Sequence, residues 1–328
     1  MDIITQKEYE EMRLFEEFLE EKLILYSNGA KYGQVVFLAG GAASGKGFAS
    51  NMFMEKEKFK VRDIDEWKTA FIKLDKIKAE VERRQRDPVN VRRWKPDSRR
   101  QRGVSSRELG KKRGISPDKL IDARELNLRK MGDVFKMHEL IKHFGIKDKT
   151  LDLILGGANN PTRLPNIMFD MTLKDPKDLS KILPSLLAVG YEPRNIHLTW
   201  VLSNYQISIQ ANRTRDRVVP DHALLKTHKG AAKTMIPMLK GKLPKGMDGA
   251  VRVILNNREN TIPWTDSEGR PIKTKDGDVV IKDFTYLTIK KEGRPYLKDK
   301  DIKKQLFDWI AANVPKDTLT QQELDPER

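Results

Sequence analysis

The chain contains no cysteine, which excludes disulfides, thiolate zinc sites and a cysteine nucleophile and fits a reducing compartment. It has no apolar run approaching the roughly 18 residues of a membrane span, so a membrane partner is not expected. The opening, Met1 to Glu8, lacks the basic end and apolar block of a signal peptide, and the expected location is cytoplasmic. Histidine is scarce: His138, His143, His197, His222 and His228 are all there are. None stands at ligand spacing. His138 and His143, five apart, fall on different faces of a helix, so packing or surface roles are expected.

Acidic residues are also short, 47 against 63 basic ones, for a net charge of +16 over 328 residues. The excess is concentrated. Between Arg83 and Arg113 stand thirteen basic residues and three acidic ones, a net of +10. Such a block repels itself unless an anion lies nearby. Arginine dominates it, Arg92 and Arg93 directly precede Trp94, and Pro88, Pro96 and Gly103 interrupt any helix. Phosphate contacts with stacking on Trp94 make nucleic acid the expected partner. A solvated insertion that only raises solubility would have the same composition.

Against this background one segment stands out. Val35-Val36-Phe37-Leu38-Ala39 is an apolar run followed by Gly40-Gly41-Ala42-Ala43-Ser44-Gly45-Lys46-Gly47, and Phe48 to Met54 reads as a helix. Strand, glycine loop, lysine and helix in that order make a P-loop. The loop amides and the helix N-terminus face an anion, and Lys46 reaches the β- and γ-phosphates. ATP is therefore the expected nucleotide, with Mg²⁺ beside it. Gly47 stands where the fuller motif has a Ser or Thr on the metal. Ser44, Asp170 or water must then supply the ligands.

Further strands are expected at 59–65, 166–171, 196–202 and 251–255, alternating with helices that include 176–189, closed by Gly190. A helix over 117–147 is interrupted at Gly132 and ended by Gly145. This alternation predicts an α/β fold with a doubly wound parallel sheet of P-loop kinase type. A helix over 7–27 precedes it. From 261 to 297, Gly- and Pro-rich turns predict a β-hairpin appendage, and a helix closes the chain near 301–313. The expected divisions are 1–32, a core over 33–260 with the basic insertion at 83–113, and 261–328.

Residues just beyond the strand ends carry the chemistry in such sheets. Asp65, after the second strand, suits a general base for an acceptor hydroxyl, with Lys68 or Arg62 holding phosphate charge. As a helix cap it would sit at the same corner. Asp63, on the same side of the strand, is the competing base. Asp170 after the third strand suits Mg²⁺ or the acceptor. Thr172 suits the acceptor or an N-cap. Arg213, Arg215 and Arg217, at alternate positions before Val218-Val219-Pro220, read as a helix end opening into a lid that stabilises phosphoryl charge.

These pieces (Gly40 to Lys46, Asp65-x-x-Lys68, Asp170-x-Thr172, Gly190-Tyr191 and Arg213 to Pro220) resemble the zeta-toxin-like branch of P-loop kinases and the kinase part of polynucleotide kinases. The resemblance spans about residues 33–256. It implies that Lys46 binds phosphate, Asp65 is the base, Asp170 and Thr172 touch the acceptor, and the three arginines stabilise transfer. Lys68 stands where that family usually has Arg, and Asp170 where zeta toxins tend to have Glu. The overall composition, without cysteine and rich in lysine, together with the basic insertion, resembles that of bacteriophage kinases acting on hydroxymethylated pyrimidines in DNA. That favours DNA over RNA as partner, in the host cytoplasm. A zeta-type kinase of a nucleotide sugar or other metabolite, and an ATP-gated nucleic-acid-binding protein, are the alternatives.

Overall fold

The computed structural model describes residues 32–54, 56–63, 126–143, 146–156, 160, 163–215, 217–266, 268–273, 279 and 281–325. The expected helix over 7–27, the basic segment 83–113, and Asp65, Lys68, Arg92, Arg93 and Trp94 lie outside the described residues. Cα proximity divides the described elements between two units. The second comprises 62–157 and 209–224, and the first comprises the rest.

The first unit is built on a seven-stranded sheet: β1 (Val35–Ala39), β2 (Lys60–Asp63, whose last two residues belong to the second unit), β3 (Ile167–Asp170), β4 (Ile196–Leu202), β5 (Val251–Leu255), β6 (Thr261–Pro263) and β7 (Ile281–Lys290). Its order is β2-β3-β1-β4-β5-β7-β6. β1 pairs in parallel with β3 and β4, and β4 with β5. Every residue of β1, β4 and β5 is buried, as expected of strands covered on both faces. The α/β sheet expected from the sequence is therefore present, and its strands start and stop within a residue or two of the expected places.

Strand alternation divides the core. On one face Val36 and Leu38 pack with Met168, Val201 and Ile254 under α1 (Lys46–Phe53), through Ala49 and Phe53. On the other, Phe37 stacks on its register partner Phe169 at 4.9 Å. The antiparallel pair expected after residue 261 continues this sheet, β7 pairing with β5 and β6 with β7. Phe284 of β7 stacks on Phe53 at 3.8 Å between centroids, so the hairpin also closes the core beneath α1.

Among the helices, α4 (Lys177–Val189) buries Leu179, Ile182, Leu183 and Leu186, one stripe at helical spacing. It ends where Gly190 turns left-handed at φ 108°, with the amides of Gly190 and Tyr191 returning to Leu187 and Leu186. The closing helix α7 (Lys300–Asn313) starts at Asp299, whose carboxylate accepts from the amides of Asp301 and Ile302, and a short α8 (Gln321–Leu324) follows. In the second unit α2 (Met131–His143) packs on α3 (Ile146–Gly156). Gly132 falls in the first turn of α2 and does not interrupt it. Two helices link the units along the chain, α5 (Tyr205–Arg213) and α6 (Asp221–Leu239); α6 and α3 were not anticipated from sequence.

Phe284→Ala should destabilise the protein by about 3 kcal/mol, the range for truncating a buried ring. Urea unfolding measures it. A loss within a few tenths of a kcal/mol would show that the hairpin contributes little to the core.

Candidate active site

β1 runs out at Ala39, and α1 begins at Lys46 after the loop Gly40–Gly45. The first i→i−4 bond of the helix is the Ala49 amide donating to Gly45 O at 2.8 Å. The amides of Lys46, Gly47 and Phe48 therefore lie ahead of any intrahelical partner and form the positive end of the helix. Gly45 adopts φ 82°, and a Cβ there would collide with Asn256 Nδ2. That amide donates to Ser44 O at 2.9 Å, so the loop is tied to the residue following β5.

Lys46 is largely enclosed, its side chain 11% exposed. Its ammonium donates to Gly40 O at 3.1 Å and Gly41 O at 3.3 Å, and stands 3.6 Å from Asp170 Oδ1. Asp170 ends β3 and pairs in register with Leu38 of β1. The parallel register thus places the carboxylate beside the loop, as the position after a strand end suggests. Thr172 is half-buried just beyond. Since α4 begins at Lys177 with Pro176 as its cap, Thr172 does not cap that helix. The chain turns sharply there, with buried Leu173 at φ 46°.

The donors available for a metal are hard oxygens: the Asp170 carboxylate and the Ser44 hydroxyl. Ser44 Oγ is buried without a hydrogen-bond partner, an orphan polar atom inside the loop. No cluster of three or more His, Asp or Glu occurs among the described residues. One carboxylate and one hydroxyl fit Mg²⁺, which takes most of its ligands from phosphates and water. A Cβ on Gly47 would meet nothing within 4 Å, so steric exclusion does not explain the missing Ser or Thr.

α6, which the sequence did not reveal, braces the loop from above. The Ala42 amide donates to Thr227 Oγ1 at 2.8 Å, and His228 Nε2 donates to Ala42 O at 3.0 Å. The His228 ring lies so close to Gly41 that a Cβ there would overlap it. Burial lowers the His228 pKa to about 4, assisted by the Lys46 charge and opposed by the bond to Ala42. The ring is neutral with its proton on Nε2. His197 in β4 is the second buried histidine. It bonds to Gln34 Oε1 at 2.8 Å and accepts from the Ala250 amide at 3.0 Å. Burial, then Arg252 and Lys290, lower its pKa to about 3.

The second unit carries the arginine segment. α5 ends at Arg213, and buried Asn212 grips the backbone of Val219, donating to its O at 2.6 Å and accepting from its N at 3.0 Å. This closes a loop that presents Arg213 and Arg215 to solvent and leaves Arg217 half-buried. Arg213 faces Asp221 at 3.9 Å; both side chains are more than half exposed, so the pair contributes little. The expectation of a helix end opening into an arginine loop matches this backbone.

Of the residues singled out in the sequence, the structure sets Lys46 against Gly40, Gly41 and Asp170 in the first unit, with Ser44 in the same loop and Thr172 two residues beyond Asp170. Thr227, His228 and Asn256 were missed. No motif marks them, because each acts on the loop backbone from a distant part of the chain.

No protein family and no curated protein matches this chain. Solved structures similar to it include the native AvrRxo1-ORF1:-ORF2 complex, at 10% identity and TM-score 0.40, covering 98% of this chain and 82% of that one. The same complex with ATP gives 11% and 0.36, covering 92% and 80%. A structure from the PezAT chromosomal toxin–antitoxin system of Streptococcus pneumoniae gives 12% and 0.32, covering 79% and 82%. At such values the similarity implies nothing about ligand or activity.

Gly47→Ser should keep or slightly raise the melting temperature, since the space is open and glycine is a weak helix former. Gly45→Ala should lower stability by more than about 1 kcal/mol, because its backbone is left-handed and Asn256 blocks a Cβ. Equal melting temperatures for the two would contradict the loop geometry.

Both buried histidines titrate in the folded state well below the ordinary 6.5, so the unfolded chain binds more protons over about pH 4 to 6.5. Their stabilising effect is complete above 6.5 and is lost as pH falls through that window. Each contributes a slope of up to about 1.4 kcal/mol per pH unit. Urea midpoints from pH 7.5 to 4.5 should fall accordingly, and His197→Gln with His228→Gln should flatten the curve. A wild-type curve that is level from 7 to 5 would refute the assignment.

Proposed function

We propose that this chain is an ATP-dependent phosphotransferase whose acceptor is a hydroxyl on a polynucleotide, DNA in preference to RNA, a hydroxymethylated base in phage DNA being one candidate. The observation that carries the phosphotransferase reading is the convergence at the ends of β1 and β3. There Lys46, the first residue of α1, stands 3.6 Å from Asp170 at the end of β3. Amides and an ammonium receive the phosphates, and Asp170 with Ser44 would hold Mg²⁺, which screens charge between the β- and γ-phosphates when bound.

In the proposed reaction the acceptor oxygen forms a bond to the γ-phosphorus as the bond to the β-phosphate oxygen breaks. The hydroxyl proton passes to Asp65, and ADP leaves. Asp65 follows β2 by two residues in sequence. Asp63, the last residue of β2, is the alternative base. Thr172, which caps no helix, and Lys68 would touch the acceptor. Arg213, Arg215 and Arg217 would stabilise charge on the transferred group. The polynucleotide part rests on the +10 segment at 83–113, with Arg92, Arg93 and Trp94, because a small acceptor needs no such charge.

Transfer of label from γ-labelled ATP to a panel of DNA, RNA, nucleotides and nucleotide sugars tests this directly. Label on DNA is expected, and Lys46→Ala and Asp65→Asn should each cut transfer by a factor on the order of 10² or more. Label confined to a nucleotide sugar would replace the polynucleotide with a metabolite. Label on nothing, with ATP still bound, would make the protein an ATP-gated binder. Binding of a short oligonucleotide across a salt series should be steep, and shallower once Arg92, Arg93, Arg99, Arg100 and Arg102 are changed to Gln. An unchanged slope would remove the basic segment from DNA binding.

A further inference from the structure

We infer that Thr227 and His228 of α6 are positioning residues that hold the phosphate-binding loop in its binding conformation by gripping both backbone groups of Ala42. This deepens the P-loop reading and rests on it. The Ala42 amide donates to Thr227 Oγ1 at 2.8 Å, and the Ala42 carbonyl accepts from His228 Nε2 at 3.0 Å. Fixing N–H and C=O of one residue fixes both flanking peptide planes.

The need for such a grip lies in the next residue. Ala43 sits at φ 58°, the left-handed region that non-glycine residues avoid. Such a conformation persists only where its surroundings over-determine it. Here the surroundings are complete: Ala42 is held before it, and after it the Ser44 amide donates to Gly41 O at 3.2 Å while Ser44 O accepts from Asn256. Gly41 belongs to the same device, since only a residue without Cβ lets the His228 ring lie against the loop. A neutral imidazole suits the task, because it donates to a carbonyl without adding a second cation beside Lys46.

α6 is tied to the β3 turn as well. Gly230, two residues after His228, packs so closely on Lys174 that a Cβ would stand 2.7 Å from that residue's Cβ and 2.9 Å from its carbonyl oxygen. One stretch of α6 thus contacts both the loop after β1 and the turn after β3.

The test is ATP affinity measured by calorimetry beside melting curves. Thr227→Val keeps shape but removes the acceptor and should weaken ATP binding about tenfold, as one lost hydrogen bond at a preorganised site would. Thr227→Ser should restore it. His228→Gln, which keeps a donor near Nε2, should bind better than His228→Phe, which keeps a ring without one. Gly41→Ala should be less harmful in a His228→Ala background, a coupling that independent sites would not show.

Wild-type protein that binds no ATP overturns the P-loop reading and the grip together. Wild-type binding that Thr227→Val leaves intact overturns the grip alone. Where Thr227→Val also lowers the melting temperature by many degrees, amide exchange in the wild type decides. Slow exchange at Ala42 supports the grip, and fast exchange overturns it.

Discussion

Turning consecutive backbone amides toward one point forces the carbonyls of the same loop outward, and each of those needs a donor. This constraint organises the site. Gly40 O and Gly41 O accept from Lys46, Ala42 O from His228, Ser44 O from Asn256 and Gly45 O from Ala49. The donors come from α1, α6 and the residue after β5, so the loop depends on chain separated from it by up to 212 positions. A buried backbone acceptor left without a donor costs as much as a lost hydrogen bond. Five of the six loop carbonyls thus have a donor within the protein, and the amides of Ala42 and Ser44 are taken up by Thr227 and Gly41, so the leading amides of α1 are the ones left to a ligand.

How much of this could be read from sequence follows from where each partner sits. The loop itself was legible because strand, glycines, lysine and helix are contiguous. Asp170 was legible because strand-end position is a local property. α6 was not: Gly230 and Pro237 stand inside its Asp221–Leu239 span, and both read as breaks. Gly230 is there because Lys174 leaves no room for a side chain. The two buried histidines look in sequence like any others. Their neutrality comes from burial and neighbouring cations that lie far away along the chain. Partners joined only by the fold carry no signal in spacing.

The C-terminal strands show the same limit in a different form. Turn residues announced an antiparallel pair, but sequence did not say what it would join. Its attachment to β5 extends a parallel sheet with an antiparallel edge, and its Phe284 meets Phe53 of the helix behind the P-loop. The rigidity of α1, which aims its leading amides, therefore rests partly on residues more than two hundred positions downstream. A segment that reads as an appendage is part of the support for the site.

The two anion-binding devices proposed for this chain differ in physics. The P-loop relies on fixed amide dipoles and one enclosed ammonium, in surroundings that salt screens little. The proposed role of the 83–113 segment would instead rest on many cationic side chains, whose attraction to a phosphate backbone comes through displaced counterions. The first demands precision and explains why so much of the fold converges on six loop residues. The second demands only charge density, for which a sequence of arginines broken by proline and glycine is sufficient. On the proposed function, the chain would grip a nucleotide with fixed geometry while holding a polyanion by charge alone. Ionic strength then becomes the variable that separates the two.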